Sequence, residues 1–378
     1  MKIAIAIPTF NRAGYLKKAV QSIFDQEHDG NIEVYVVISN IASTDETSSY
    51  LDELNKAHEN VIVYNQPEDN LKYSNLYFLG GAIPEEMDWV WLMGDDDYLM
   101  QKNSVQIVCE YIREYRGKDL CFIHACQGRR SRSTGQVRVE EIFNLCNEFG
   151  YHEMLGWFSS IVLRKCEFVE SMLESKDVHH YIFSESLEDR SKASAFSHSA
   201  SIYKECVGKY GMFVDSPLVE TQESRATKET AERWAAENTS ERYLFVADDL
   251  QRLRETGLIE HNFSRSFFKY LNWNFWDIWF RHLMLELTDN NKTLTQLNSD
   301  KFLSDWNSNL DRVMKVTDFM EDKTDSRNLS LIYVSLKYAV SKLAQSDFSD
   351  EFVVSMLVDQ IKMLTVPSYE LEIIQQHK

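Results

Sequence analysis

Residues Trp89–Leu99 read WVWLMGDDDYL, a compact apolar run that stops at Gly94 and is followed by Asp95, Asp96 and Asp97. The run has the length and side chains of a buried strand. Three adjacent carboxylates repel one another unless solvent or a cation offsets their charge. An isolated acidic triplet would be a turn or a helix cap. Placed at the end of a buried strand, it falls at the carboxyl edge of a sheet, where ligands gather in α/β folds. Asp95 and Asp97 can turn toward one region while Asp96 points elsewhere. Their hard oxygens suit magnesium or manganese bridging a diphosphate.

Upstream, strand and helix patterns alternate. Lys2–Ile7, Glu33–Ser39 and Asn60–Asn65 are β-favouring runs, and Pro8–Arg12 interrupts the first of them. Between them Tyr15–Gln26 carries helix-period apolar positions at Leu16, Ala19, Val20 and Ile23, and Asp45–Ala57 and Tyr73–Ala82 also read as helices. This alternation predicts a mostly parallel sheet covered on both faces. Downstream the order is less regular. Val105–Tyr115 reads as a helix, and Leu120–Ala125 and Trp157–Leu163 (WFSSIVL) read as strands. Met212–Val219 reads as a last sheet element or an extended loop, and 220–232 as a polar surface helix or loop. From about residue 240 long helical patterns replace strand-like runs.

The 378 residues suffice for two domains, and 44% apolar with 26% charged residues excludes a disordered or collagenous chain. A net charge of −19 disfavours a general nucleic-acid binder. None of the six scattered cysteines forms a C-x-x-C pair, which points to buried thiols in a reducing compartment. Pro8 and polar residues interrupt the N-terminal apolar run, which reads as a strand rather than a signal peptide, and no stretch has the apolar length of a membrane span.

Four segments together resemble a known family: IAIPTFNR at 5–12, ISNIASTDET at 38–47, EDNLKYSN at 68–75 and WLMGDDDYL at 91–99. In this order and spacing they resemble the inverting family 2 glycosyltransferases of GT-A fold, in the bacterial branch that builds surface polysaccharides such as lipopolysaccharide or capsule. The resemblance covers roughly residues 1–100, fades through 101–235 and is absent beyond. It implies an α/β GT-A domain over 1–238, with a nucleotide-sugar half (1–100) and an acceptor half (101–238), and a helical C-terminal domain over 239–378. It implies a nucleotide-diphosphate sugar donor, a UDP-sugar, with Mn2+ or Mg2+, and a polysaccharide, oligosaccharide or lipid-linked glycan acceptor. The expected location is cytoplasmic, at or near the membrane face.

The resemblance also implies roles for single residues. Pro8, Thr9, Asn11 and Arg12 form the first nucleotide-side loop. Asp95 and Asp97 match the ends of the family's D-x-D motif, with Asp97 on the metal, Asp95 near the ribose or the metal's water shell, and Asp96 between them on the nucleotide side. Ser43 and Asp45 match its S-T-D turn, which also makes an ordinary helix cap. The family commonly has an acidic residue, contacting a uracil-type base, where Asn40 stands. Asn40 offers a donor and an acceptor for a base, or satisfies a turn.

An inverting transfer also needs a base beside the acceptor hydroxyl. Candidates follow the Gly156–Val162 segment: Glu185, Glu188 and Asp189 in SESLEDR, and His198 in AFSHSAS. A charged helix face accounts for the carboxylates equally well, and His198 is a base, a late metal ligand or a structural histidine. Trp157 stacks on a sugar or packs in the core. Arg233 and Trp234 resemble a pair near a mobile acceptor loop. In the tail, Trp273, Trp276, Trp279 and Phe280 form an aromatic helical face for packing, a second subunit, peripheral membrane contact or the acceptor. Two other functions compete: nucleotidyl transfer, and a non-catalytic glycan-binding scaffold on the same fold.

Overall fold

The computed structural model describes residues 1–66, 75–128, 131, 133–182, 197–222, 249–259, 262–268, 311, 314–324, 326, 327, 330 and 334. The chain divides into two compact units, Met1–Ala231 and Glu232–Lys378.

The first unit opens with β1 (Lys2–Thr9), α1 (Ala13–Phe24), β2 (Glu33–Ile41), α2 (Thr47–Ala57), β3 (Val61–Gln66), α3 (Asn75–Ala82) and β4 (Trp89–Leu92). It continues with β5 (Asp97–Leu99), α4 (Ser104–Glu114), β6 (Leu120–Gln127), β7 (Val137–Glu141), α5 (Ile142–Phe149) and α6 (Tyr151–Leu155). A 3-10 turn at Phe158–Ser160 then leads into β8 (Ile161–Arg164), α7 (Lys165–Ile182), α8 (Ser197–Cys206) and β9 (Tyr210–Thr221). The nine strands form one sheet in the order β3-β2-β1-β4-β8-β6-β9-β5, with β7 also on β9.

β3, β2, β1 and β4 run parallel to one another, as a strand–helix alternation requires. Beyond β4 the sheet is mixed, because β8 runs antiparallel to both β4 and β6. The interior of β1, Ile3–Ile7, is wholly buried, and α1 packs the expected Leu16, Ala19, Val20 and Ile23 against the core. β1 runs two residues further than the proline suggests. Ala6 accepts from Met93 N–H on the β4 side, and the β4 ladder ends at the Ala6–Leu92 pair. Pro8, two residues on, faces that same side past the end of pairing, so its missing N–H costs no ladder bond.

Other elements depart from the sequence reading. The segment read as one strand at 157–163 begins as a 3-10 turn and becomes extended only at Ile161. β5 and β7 lack an apolar run, and both exist by pairing antiparallel with β9. β9 itself pairs β7 through Tyr210–Val214 and β5 through Val219–Thr221.

The cysteines are free thiols, with Cys166 exposed and the rest buried. Among the described residues no helix is long and apolar enough to cross a membrane. Within the second unit, Phe263 forms a parallel bridge with Met320 and stacks on Phe267, and Leu253, Ile259 and Val316 are also buried. Trp273, Trp276, Trp279 and Phe280 lie outside the described residues.

α3 crosses α7 closely enough that only hydrogen fits at Gly80. A Cβ there would lie 2.7 Å from Met172 Cβ and 3.5 Å from the Leu173 amide nitrogen. Gly80→Ala is therefore expected to destabilise the unit by about 1–2 kcal/mol in urea denaturation, overpacking outweighing the better helix propensity of alanine. A neutral or stabilising result would show that the crossing yields.

Candidate functional site

The buried WVWL of β4 delivers Gly94 and the acidic turn to the carboxyl edge of the parallel strands. Asp97 N–H closes the turn on Gly94 O at 3.2 Å, and Gln222 N–H, just beyond β9, holds Asp96 O at 2.7 Å. A Cβ on Gly94 would stand 2.9 Å from Asp96 Oδ1 and 3.1 Å from Asp97 Oδ2. Glycine is thus what allows the carboxylates to fold back over the strand end.

The three carboxylates face different partners. Asp95 accepts from Thr9 Oγ1 at 2.8 Å and from Arg12 Nη1 at 3.0 Å. Asp96 accepts from the same Arg12 nitrogen at 2.9 Å. Asp97 accepts from the Ser159 hydroxyl, which in turn accepts from Gly94 N–H at 2.8 Å. Burial pushes the Asp95 carboxyl above its ordinary range, with Arg12 opposing and Asp96 adding to the rise. Burial works against the Arg12 charge, but Asp95 and Asp96 outweigh it and hold the guanidinium above its ordinary value.

The first loop is tied to the β2–α2 loop. Asn11 sits at a positive φ of 52°, and its Oδ1 accepts from Thr44 N–H at 2.7 Å. Asn11 N–H donates to Ser43 Oγ, Arg12 N–H to Thr47 Oγ1 and Ala13 N–H to Asp45 Oδ2. Burial opposes the Asp45 charge, but its hydrogen bonds with Thr47 and Ala13 hold the carboxyl below its ordinary value. Asn75 Nδ2 bonds Thr9 O and Asn75 Oδ1 accepts from Gln66, extending the network to β3.

Thus Thr9, Asn11, Arg12, Ser43, Asp45, Asp95, Asp96 and Asp97 are brought together, with Pro8 on the strand that carries them. Of the two roles expected of Asn40, reading a base or satisfying a turn, its surroundings fit the second. It is buried, accepts from Ser43 Oγ at 2.5 Å, and donates to Asn65 Oδ1 at 2.9 Å and Ser48 Oγ at 3.4 Å. Both ends of its amide thus bond within the turn and to β3.

Trp157 is likewise an interior residue, edge-on to the His152 ring at 5.1 Å, rather than a platform open to a sugar. His198 is enclosed beside Phe158. Burial lowers its pKa to about 3, against hydrogen bonds with the Leu155 and Gly156 backbone, so the ring is neutral and interior. Of its three candidate roles, the structural one is the role this setting fits. Glu185, Glu188, Asp189, Arg233 and Trp234 lie outside the described residues. Sequence reasoning missed Ser159 and Gln222. Ser159 lies in a run read as plain strand, and Gln222 in a segment read as surface, so neither carried a local signal.

Among the described residues no group of three or more His, Cys, Asp or Glu side chains is arranged to hold a metal ion. Asp97 offers one carboxylate, with Asp95 and Asp96 turned to Arg12. One protein carboxylate completed by phosphate oxygens and water is a donor set that magnesium accepts.

The model of the family "Glycosyl transferase family 2" matches residues 4–163, which span β1 through the end of the IVL segment of β8. Residues 4–163 are thus similar to the family 2 glycosyltransferases. The abequosyltransferase RfbV of Salmonella typhimurium is 33% identical over 121 residues, which are 32% of this chain and 35% of that protein's length. The aligned part therefore spans about a third of that curated relative. Among solved structures, S. aureus TarS 1–349 in complex with UDP superposes with a TM-score of 0.50 at 14% identity, over 91% of this chain and 89% of that one. A second S. aureus TarS structure gives 0.51 at 13% identity, over 90% and 55%. At such identities these structures show the fold alone, an α/β fold of the GT-A type.

Arg12 is the counter-charge of the acidic turn. Arg12→Met leaves Asp95 buried without it, a deficit of about 1–3 kcal/mol at pH 8, discounted for the partial exposure of the arginine. The Asp95 carboxyl then rises further and takes up a proton as the pH falls. The deficit against the parent protein should therefore be smaller at pH 5 than at pH 8. Urea denaturation of both proteins at the two pH values checks this; a deficit that widens on acidification would contradict the pairing.

Proposed function

We propose that this chain is an inverting glycosyltransferase that moves a sugar from a UDP-sugar to a glycan or lipid-linked oligosaccharide during surface polysaccharide synthesis. The observation that carries the reading is the split acidic turn: Asp95 and Asp96 are both paired with Arg12, while Asp97 accepts from Ser159. The family 2 match and the UDP complex of TarS support a nucleotide-sugar donor, and the match to an abequosyltransferase supports a polysaccharide setting.

In this reading the donor lies over the carboxyl ends of β1, β2 and β4, against the β1–α1 loop. Asp97 would hold Mg2+ or Mn2+ at the diphosphate. The ion, when bound, offsets charge developing on the leaving nucleoside diphosphate. Arg12, Thr9 and Ser159 keep the carboxylates oriented before the donor arrives, so little reorganisation accompanies bond breaking. The acceptor oxygen forms its bond to the anomeric carbon as the bond to the diphosphate oxygen breaks. Because His198 is interior and burial lowers its pKa to about 3, making it a weak base, the acceptor's proton is assigned to Glu185 or Asp189.

A panel of UDP-sugars with Mn2+ or Mg2+ and oligosaccharide or lipid-linked acceptors tests the activity. Release of UDP with a glycosylated acceptor indicates sugar transfer; release of pyrophosphate in a parallel reaction given UTP and a sugar 1-phosphate indicates nucleotidyl transfer; glycan binding without turnover in either indicates a scaffold. Asp97→Asn should cut the metal-dependent rate by about 100- to 1000-fold, on the order of 3–4 kcal/mol of transition-state stabilisation, with an unchanged circular dichroism spectrum. Near-normal turnover with unchanged metal dependence would reject the role of Asp97.

A further inference from the structure

Ser159 is a fully buried residue in the 3-10 turn that enters β8. β8 pairs antiparallel with β4, Ile161 opposite Leu92, and continuing that register sets Ser159 opposite Gly94. Trp91 Nε1, from the middle of β4, donates to Ser159 O at 2.8 Å and fixes the backbone of the turn. The hydroxyl then has one proton and a lone pair to place. The proton goes to Asp97 Oδ2 and the lone pair accepts Gly94 N–H. One side chain therefore ties the strand end just before the acidic turn to the turn's last carboxylate.

The neighbouring Ser160 shows that this is not a generic property of a buried serine at this point. Ser160 is also buried, and its Oγ has no hydrogen-bond partner. Of two adjacent hydroxyls in the same turn, only one reaches the acidic turn.

We propose that Ser159 is a positioning residue of the donor site. Its hydroxyl holds the Asp97 carboxylate in the orientation that receives the cation–diphosphate unit of the donor, an inference that rests on the assignment of Asp97 to that unit. Removing the hydroxyl takes one hydrogen bond from the Asp97 carboxylate and the acceptor from Gly94 N–H. The consequence falls on affinity for the cation-bound nucleotide rather than on nucleotide affinity alone.

The test is calorimetric titration of the full chain with UDP, with and without Mn2+. The parent protein is expected to bind UDP more tightly with Mn2+, and Ser159→Ala should reduce that Mn2+-dependent gain about tenfold, as loss of a hydrogen bond to a charged group predicts. Ser160→Ala should leave it unchanged. In an Asp97→Asn background, Ser159→Ala should cause no further loss, because the serine acts through that carboxylate. Parent-like Mn2+ dependence in Ser159→Ala, or an equal loss in both backgrounds, would overturn the proposal while leaving the donor site standing. A parent protein that binds UDP with no Mn2+ dependence would overturn the assignment of Asp97 and this proposal with it. If Ser159→Ala does not fold, Ser159→Cys, of similar size but a weaker donor, should show about a threefold loss, and parent-like binding would overturn the proposal.

Discussion

Three carboxylates within one turn, at the end of a strand with no exposed residue, can coexist only if something offsets their charge. Here one guanidinium is paired with two of the three. Arg12 Nη1 reaches both Asp95 and Asp96, and its own position is set by the loop that follows β1. That loop is in turn stitched to the β2–α2 loop through Asn11, Ser43, Asp45 and Thr47. The loops after β1, β2 and β4 are thus joined through Arg12 and its neighbours. Asp97 is held instead by a hydroxyl from the other side of β4.

This arrangement explains why the site spans two halves of the sheet. The parallel half supplies Thr9 and Arg12, and the mixed half supplies Ser159 from before β8 and Gln222 from beyond β9. β5 is three residues long and pairs only with β9 in the sheet. Its position, and with it the exit of the acidic turn, depends on a strand more than a hundred residues later in the chain.

The parallel half is legible in the sequence because burial on both faces imposes continuous apolar strands, and amphipathic helices between them show a 3.6-residue period. Ile3–Ile7, Val36–Ile38 and the α1 face carry that signal directly. The acidic turn is legible because a charged triplet at the end of WVWL has few structural uses. The rest is hidden for physical reasons. β5 begins with a carboxylate, β7 reads VRVEE, and both are set by pairing with a distant strand rather than by local pattern. Asn40 has the chemistry of a base reader, and only its enclosure by Ser43, Ser48 and Asn65 shows where that chemistry goes. His198 looks reactive among its small sequence neighbours, and only the fold sets its ring in the interior against Phe158. Ser159 and Ser160 are indistinguishable in sequence, and the register of β8 against β4 separates them.

The central claim is that the donor diphosphate sits at Asp97, with Asp95 and Asp96 withdrawn to Arg12. The most direct measurement is anomalous diffraction from crystals of the protein grown with UDP and Mn2+. The expected result is one manganese peak within about 2–2.5 Å of an Asp97 carboxylate oxygen, with the UDP phosphates completing its shell and Arg12 still on Asp95. Manganese coordinated by Asp95 and Asp96 with Arg12 displaced, or UDP bound away from the acidic turn, would contradict it.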